Sequence, residues 1–465
     1  MLARRILEDP AQAWSAYTPT PDQPWDRARV AHLHRRAGFQ ASWDRLERDL
    51  ADGPDAAIGR LLEGEPTALD GQPATQFERA MDVLAAESAA SGSLPRLQAA
   101  WIYRMILTPH PLRERMARFW HGHFATSNAK VNNLKLMNRQ LALFRSQGLA
   151  GFKELLAEVG RDPAMLSFLD STTNRKAHPN ENYAREVMEL FSLGRGNYSE
   201  TDVKEAARAF TGRFVQGDRF RKVEAQYDTE IKRILGKEGV LDGDSVVDIL
   251  VAQPACARFL ALKLYRLFVN EFDTPEPAFL EPVAVRLRES GYQIQAAVEM
   301  VLRSRTFHAT ANQASKVRSP VELAVGTVRA LEILNPCPSP ESIAAACTRM
   351  GEALYAPPNV AGWPGGTEWI NTASSLERAN LLLGLLSKTD EKIGKRFDPV
   401  AVAARERPFR PADPFDFYNQ LLIAGPLQSV LSQSIAHQRP AAPAEPDRVR
   451  LDLSLILTAP EYQLG

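Results

Sequence analysis

Three short stretches hold most of the side chains able to do chemistry. The first runs Asp170-Ser-Thr-Thr-Asn-Arg-Lys-Ala-His-Pro-Asn-Glu-Asn-Tyr-Ala-Arg-Glu-Val-Met-Glu-Leu-Phe191. Acids, amides and cations crowd there just ahead of a helical pattern. A loop joined to the positive end of a helix can build an anion or metal pocket. Asp170 and Glu186 are the candidate general bases or metal ligands, with Glu181 a further candidate catalytic acid. Lys176 and Arg185, helped by Asn174 and Asn182, are candidates for holding an anionic group. The plainer alternative is a capped, solvated helix carrying Glu181–Arg185 and Arg185–Glu189 pairs.

The second stretch is Arg118-Phe-Trp-His-Gly-His-Phe124. On a regular helix His121 and His123 point roughly opposite ways, so they chelate together only if the chain becomes extended at Gly122. With Glu186 they would make an ordinary two-His, one-carboxylate set, so a divalent metal is the candidate cofactor. His123 is also a candidate ligand or acid in its own right. Against this, Leu112, Met116, Phe119, Trp120 and His123 share a helical face, which is how a core histidine reads. The third stretch, Ala356-Pro-Pro-Asn-Val-Ala-Gly-Trp-Pro-Gly-Gly-Thr-Glu-Trp-Ile-Asn371, is a long loop stiffened by proline. Asn359 and Trp363 there are candidates for binding and stacking a ring; a rigid cap with buried indoles is the equal alternative.

The elements that must position these residues are helices. Helix-period apolar spacing recurs at Val203, Ala206, Ala207 and Phe210, and at Leu260, Leu264, Leu267 and Phe268. Similar stretches follow at 296–302, 321–334 and 343–354. In the first stretch Ala184, Val187, Met188 and Phe191 make an apolar stripe, with Asn180 as the expected N-cap. Ser199 and Asp202 suggest a capping box, Gly194 and Gly212 helix stops, and Pro254 and Pro320 first-turn positions. Asp244 is expected to be an N-cap rather than half of a metal-binding pair with Asp242. Strand signal is confined to Arg213–Gln216 and Arg219–Val223 around Gly217-Asp218, a type II′ hairpin signature. The expected fold is therefore mainly α: a single large multi-helix domain with one small β-hairpin. An N-terminal helical arm (1–95), a helical core with the polar motifs (96–390) and a helical C-terminal extension (391–465) divide it. Proline-punctuated or low-complexity runs stand at 407–414 and 440–446.

Composition bounds the rest. Among 465 residues, 56 basic and 56 acidic side chains give no net charge, which argues against nucleic acid as the main partner. The three cysteines, Cys256, Cys337 and Cys347, have neither disulfide-framework nor zinc-type spacing. No window approaches the roughly 18 apolar residues of a membrane span, so no transmembrane segment is expected. Glu8, Asp9 and Pro10 interrupt any leader-like start, so the chain as written reads as cytoplasmic. Phosphate-binding loops, dinucleotide fingerprints, zincin motifs and nucleophile elbows are absent.

Several segments carry a family resemblance in order. They are His32-Leu-His-Arg-Arg-Ala-Gly-Phe39, Phe119–Phe124, Leu169–Gly194, Tyr198–Val203, Lys316–Glu322 and Pro357–Gly366. Together they resemble the bacterial family known as domain of unknown function 1800. The resemblance implies a helix-rich protein, in many cases exported, often encoded beside a partner that resembles alkaline phosphatases and sulfatases. Two departures stand out: Arg213 where the family usually has Trp, and Tyr227 before Asp228 where it usually has His. The leading expectation is an enzyme with a carboxylate–histidine site, metal-assisted, acting on a phosphoryl, sulfuryl or glycosyl centre of a small-molecule or glycan-like substrate. The alternative is a non-catalytic binding or assembly partner of the phosphatase-like protein encoded nearby.

Overall fold

Helix signals written into the chain are used where they stand. In the computed structural model, Ser199 and Asp202 close a reciprocal capping box on the helix Glu200–Ala209. Pro254 and Pro320 open Pro254–Phe268 and Pro320–Ala330, and Gly194 and Gly212 follow helix ends with φ of 80° and 77°. The expected apolar stripes are all buried, from Ala184, Val187, Met188 and Phe191 to Leu260, Leu264, Leu267 and Phe268. The structure describes residues 9–334, 336–387, 397–404, 413–423 and 446–465. The first eight residues, and most of the runs at 407–414 and 440–446, lie outside the described residues.

The protein is mainly α, with strands limited to two small two-stranded sheets among the described residues. The expected hairpin forms with Arg213 opposite Lys222 and Gln216 opposite Arg219, and Gly217 takes the φ of 60° that a II′ turn requires. A second hairpin pairs Lys232–Ile234 with Lys237–Gly239 and was not expected. Its strands are three residues long and charged, and its turn puts Leu235 at φ 47° before Gly236 at 79°. The Asp202 carboxylate accepts the Leu235 N–H at 2.7 Å, so tertiary contact holds a turn that local preference disfavours.

Two further expectations are corrected. The N-cap of Gly243–Val251 is Asp242, whose carboxylate accepts from the N–H groups of Asp244 and Ser245. Asp244 instead pairs with Arg161 and Arg213. In the motif helix, Asn182–Glu186 is α but Val187–Ser192 is a π-turn. Asn180 accepts from the Asn182 N–H at 2.9 Å just outside the helix, whose first flanking residue is Glu181. The Glu181–Arg185 pair forms at 3.0 Å. Arg185–Glu189 does not, because the wider turn breaks the i,i+4 stacking: Arg185 turns to Glu200 and Glu189 to Arg195 and Tyr198.

One hydrophobic cluster extends from Ala13 to Tyr462 and draws on all three expected segments. The helix Arg27–Ala37 lies deep in it although it carries Arg29, His32, His34, Arg35 and Arg36, all buried. Each reaches a partner far along the chain or across the fold: His34 meets Asp49 at 2.7 Å, and Arg36 donates to Ser315 Oγ at 2.7 Å. No single described helix is long and apolar enough to cross a membrane.

Candidate functional site

The helix Pro111–His123 stays regular through its last residue, so the two motif histidines face different neighbours. His121 Nε2 accepts the Tyr355 N–H at 3.0 Å, with Trp101, Tyr355 and Trp363 rings around it. His123 Nε2 donates to the Phe191 carbonyl at 3.0 Å, among Phe119, Trp120, Phe124 and Phe259. Burial, reinforced by Arg118, pulls the His121 imidazole down to about 3. Burial, reinforced by Lys263, does the same to His123. Both rings are therefore neutral at ordinary pH, in opposite tautomers.

That geometry lends the metal expectation no support. The lone pair of His121 is spent on Tyr355, and the free Nδ1 of His123 is enclosed by aromatic rings. Among the described residues, no group of three or more His, Cys, Asp or Glu side chains is arranged to hold a metal ion. His121, His123 and Glu186 are not brought together as a ligand set.

The other candidates are dispersed too. Asp170, in left-handed backbone at φ 56°, pairs with Lys130 at 2.7 Å near the surface. Asn174 is buried and structural: its amide donates to Ala207 O and its oxygen accepts the Asn180 N–H, both at 2.9 Å. The Lys176 side chain is exposed, while its N–H is fixed on Gln226 O at 2.9 Å. Asn182 is exposed, and Glu181, Arg185 and Glu200 form a surface ion-pair group. Glu186 is half-buried; burial and then the Glu189 charge raise its carboxyl above the usual range. Asn359 is exposed and caps its own turn through the Ala361 N–H.

The 356–371 loop crosses the end of the histidine helix. Trp363 stands edge-on to His121 with centroids 5.2 Å apart, and Gly362 lies against the Gly122 backbone. A Cβ on Gly362 would sit 2.2 Å from the Gly122 carbonyl, at a φ of +86°. Gly362→Ala should therefore cost at least ~1 kcal/mol and open the loop to limited proteolysis between residues 356 and 371. Unchanged melting and cleavage would refute this account of the crossing.

Both departures from the family pattern have structural uses. Arg213 donates to Gly160 O at 2.8 Å and fills the space above Gly243, where a Cβ would meet it at 1.9 Å. Tyr227 donates to Leu241 O at 3.1 Å under the Lys222 and Lys232 cations. Asp228 beside it pairs with Arg208 at 2.8 Å.

A charged cleft that the motifs did not indicate lies elsewhere. It has a volume of about 560 Å³ and is walled by the helices Ala74–Ala90, Leu94–Leu107, Pro111–His123, Leu134–Gln147 and Phe152–Val159. Arg104, Arg113, Arg139, Arg145 and Arg161 face Glu78, Asp82, Glu158 and Asp162 across it. Arg104 and Arg113 share Glu78 at 2.5 and 3.1 Å. Asp162 is buried and accepts from Gln140 and the Met165 N–H at 2.7 and 2.9 Å; burial lifts its carboxyl to about 6. Arginines scattered over four segments look like ordinary solvated faces, so only the packing assembles them.

Residues 32–464 match the family described as "Protein of unknown function (DUF1800)". The chain belongs to the DUF1800 family. No curated protein and no solved structure is a match for it. For a DUF1800 member, the segments that carry the family pattern are here largely packing and capping elements, with the histidine helix and the 356–371 loop locked together at Gly122.

Proposed function

We propose that this DUF1800 protein is a binding protein, and that its ligand is an acidic, glycan-like small molecule held in the charged cleft. The observation that carries the reading is the cleft itself: about 560 Å³ with five arginines and four acids on its walls. Arginine forks pair with sulfate, phosphate or carboxylate groups, and the interleaved acids accept from sugar hydroxyls. Arg139 is exposed and donates one nitrogen to Asp218 O, and Arg113 and Arg161 are partly exposed with donors to spare beside their ion pairs. Against catalysis by the motif residues, the histidines are neutral and packed, and Asp170 and Asn359 lie at the surface.

An acid–base enzyme using the same cleft is a second reading, favoured by Asp162, whose carboxyl near 6 could deliver a proton. A phosphatase-like neighbour remains the proposed protein partner. The test is calorimetric titration with sulfated, phosphorylated and neutral disaccharides. Binding of a charged sugar at least ~10-fold tighter than the neutral one is expected, with loss in Arg113→Ala and Arg139→Ala. Equal or absent binding of all three would remove the reading. Turnover of a bound sugar, lost in Asp162→Asn, would replace it by the enzyme.

A further inference from the structure

A second concavity lies between the helix Thr372–Leu386 and the turn that follows the helix Pro446–Thr458, and it shares no lining residue with the charged cleft. Its volume is about 370 Å³, within the ~300–1,000 Å³ usual for small-molecule sites. Val317, Ile370, Ala379, Leu382 and Leu464 give it apolar walls, and Ile370 is left 40% exposed. One charge stands among these walls, the guanidinium of Arg378, and among the described residues no acid lines the groove.

Arg378 is 2% exposed, and both of its partners are neutral. Nη2 donates to Arg318 O at 2.7 Å and Nη1 to Gln463 Oε1 at 3.2 Å, while the Gln463 amide is itself fixed on Leu457 O at 3.0 Å. Nε has no protein partner. The acids whose charges reach this guanidinium serve other cations. Glu352 pairs with Arg118 at 2.5 Å, and Glu322 is shared by Arg115, Arg118 and Lys316 at 2.9, 3.0 and 2.9 Å. Gly465, with the terminal carboxylate of this chain, lines the separate small cavity of Arg35, Arg36, Arg115 and Arg318 and not the groove. Burial lowers Arg378 to about 10, and Glu352 and Glu322 offset that only in part. A buried cation with an unused N–H costs free energy that an entering anion recovers.

We infer that the groove binds a medium-chain carboxylic acid, with the alkyl chain along the apolar walls and the carboxylate on Arg378. Burial of the chain supplies affinity, and the single buried cation selects the charged head. A sugar would leave most of its hydroxyls against hydrocarbon here, so the groove and the charged cleft differ in ligand class. The site does not depend on the reading of the cleft.

The test is calorimetric titration of the full chain with octanoate, octanol, acetate and the dipeptide acetyl-leucyl-leucine. Octanoate should bind at least ~10-fold tighter than octanol, and acetate should give no binding heat. Arg378→Met should bring octanoate down to the level of octanol and leave octanol unchanged. Ala379→Trp fills the groove while leaving Arg378 in place and should abolish binding of both. Arg113→Ala, in the cleft, should change neither. No binding of octanoate, or octanol bound equally tightly, would overturn the proposal. So would octanoate binding that survives Ala379→Trp or falls in Arg113→Ala. Tighter binding of the dipeptide than of octanoate would also overturn it and assign the groove to a protein C-terminus. Should Arg378→Met fail to fold, the octanol comparison and Ala379→Trp decide alone.

Discussion

Lowering the pH from 7 to 5 should remove about 4 kcal/mol of folding stability, most of it through three buried histidines. His121, His123 and His308 are each held near 3 in the folded protein by burial, whereas an unfolded histidine titrates near 6.5. Between those values the unfolded chain takes up protons that the folded chain refuses. Stability is thus complete above about 6.5 and declines as the pH falls, by ~2 kcal/mol per histidine at pH 5. His32 shifts in the same direction and steepens the loss. Asp162 works the other way: its carboxyl, raised to about 6, favours the folded state as it protonates, returning ~1 kcal/mol. The histidines outweigh it. With a total stability of roughly 5–15 kcal/mol for a typical domain, acid unfolding should set in near pH 5. Urea midpoints at pH 7, 6 and 5 measure this directly. His308→Phe, which keeps an aromatic ring against Tyr17 and Trp25, should flatten the pH dependence by the share of one histidine. A midpoint constant from pH 7 to 5 would contradict the whole account.

Glu322→Gln should destabilise the protein by ~3–5 kcal/mol, the largest effect expected of any single conservative change. Burial alone would raise the Glu322 carboxyl, but Arg115, Lys316 and Arg118 hold it well below the usual range. Removing its charge leaves Arg115 and Lys316 short of a counter-ion, while Arg118 keeps Glu352 at 2.5 Å. Glutamine at this position can still close the capping box with Ser319, so the substitution isolates charge from helix capping. Lys316→Met in the same chain should recover part of the loss, giving a coupling energy of ~1–3 kcal/mol in a double-mutant cycle. Loss of less than ~1 kcal/mol in Glu322→Gln, or strict additivity with Lys316→Met, would show that the cluster is not electrostatically tight.

Local signals were legible and long-range ones were not. Capping by Ser199, helix starts at Pro254 and Pro320, the apolar stripe through Phe191 and the Gly217 turn depend on neighbours within a few residues, which the sequence displays. The π-turn at Val187–Ser192 is invisible at that range, and it redirected Glu189 from Arg185 to Arg195. Candidate chemistry was misdirected for a related reason. Polar residues packed into one stretch look like a site, but Asn174 and Asn180 use their amides to fasten a loop, and His121 and His123 use their ring nitrogens to fasten backbone. The arginines of the cleft come from separate segments between residues 104 and 161, and Arg118 meets Glu322 across 204 positions of sequence. No spacing rule links Arg36 to Arg115 or Arg318.

The buried helix Arg27–Ala37 also imposes an order on synthesis. Its side chains dock on groups made much later: Arg29 on His308 O, His32 on Phe307 O, Arg36 on Asn312 O and Ser315. Until some three hundred residues have left the ribosome, those cations have no interior to enter and must stay in water. The N-terminal segment therefore waits while the middle of the chain forms, and the slow closing of that long loop governs when the core becomes complete.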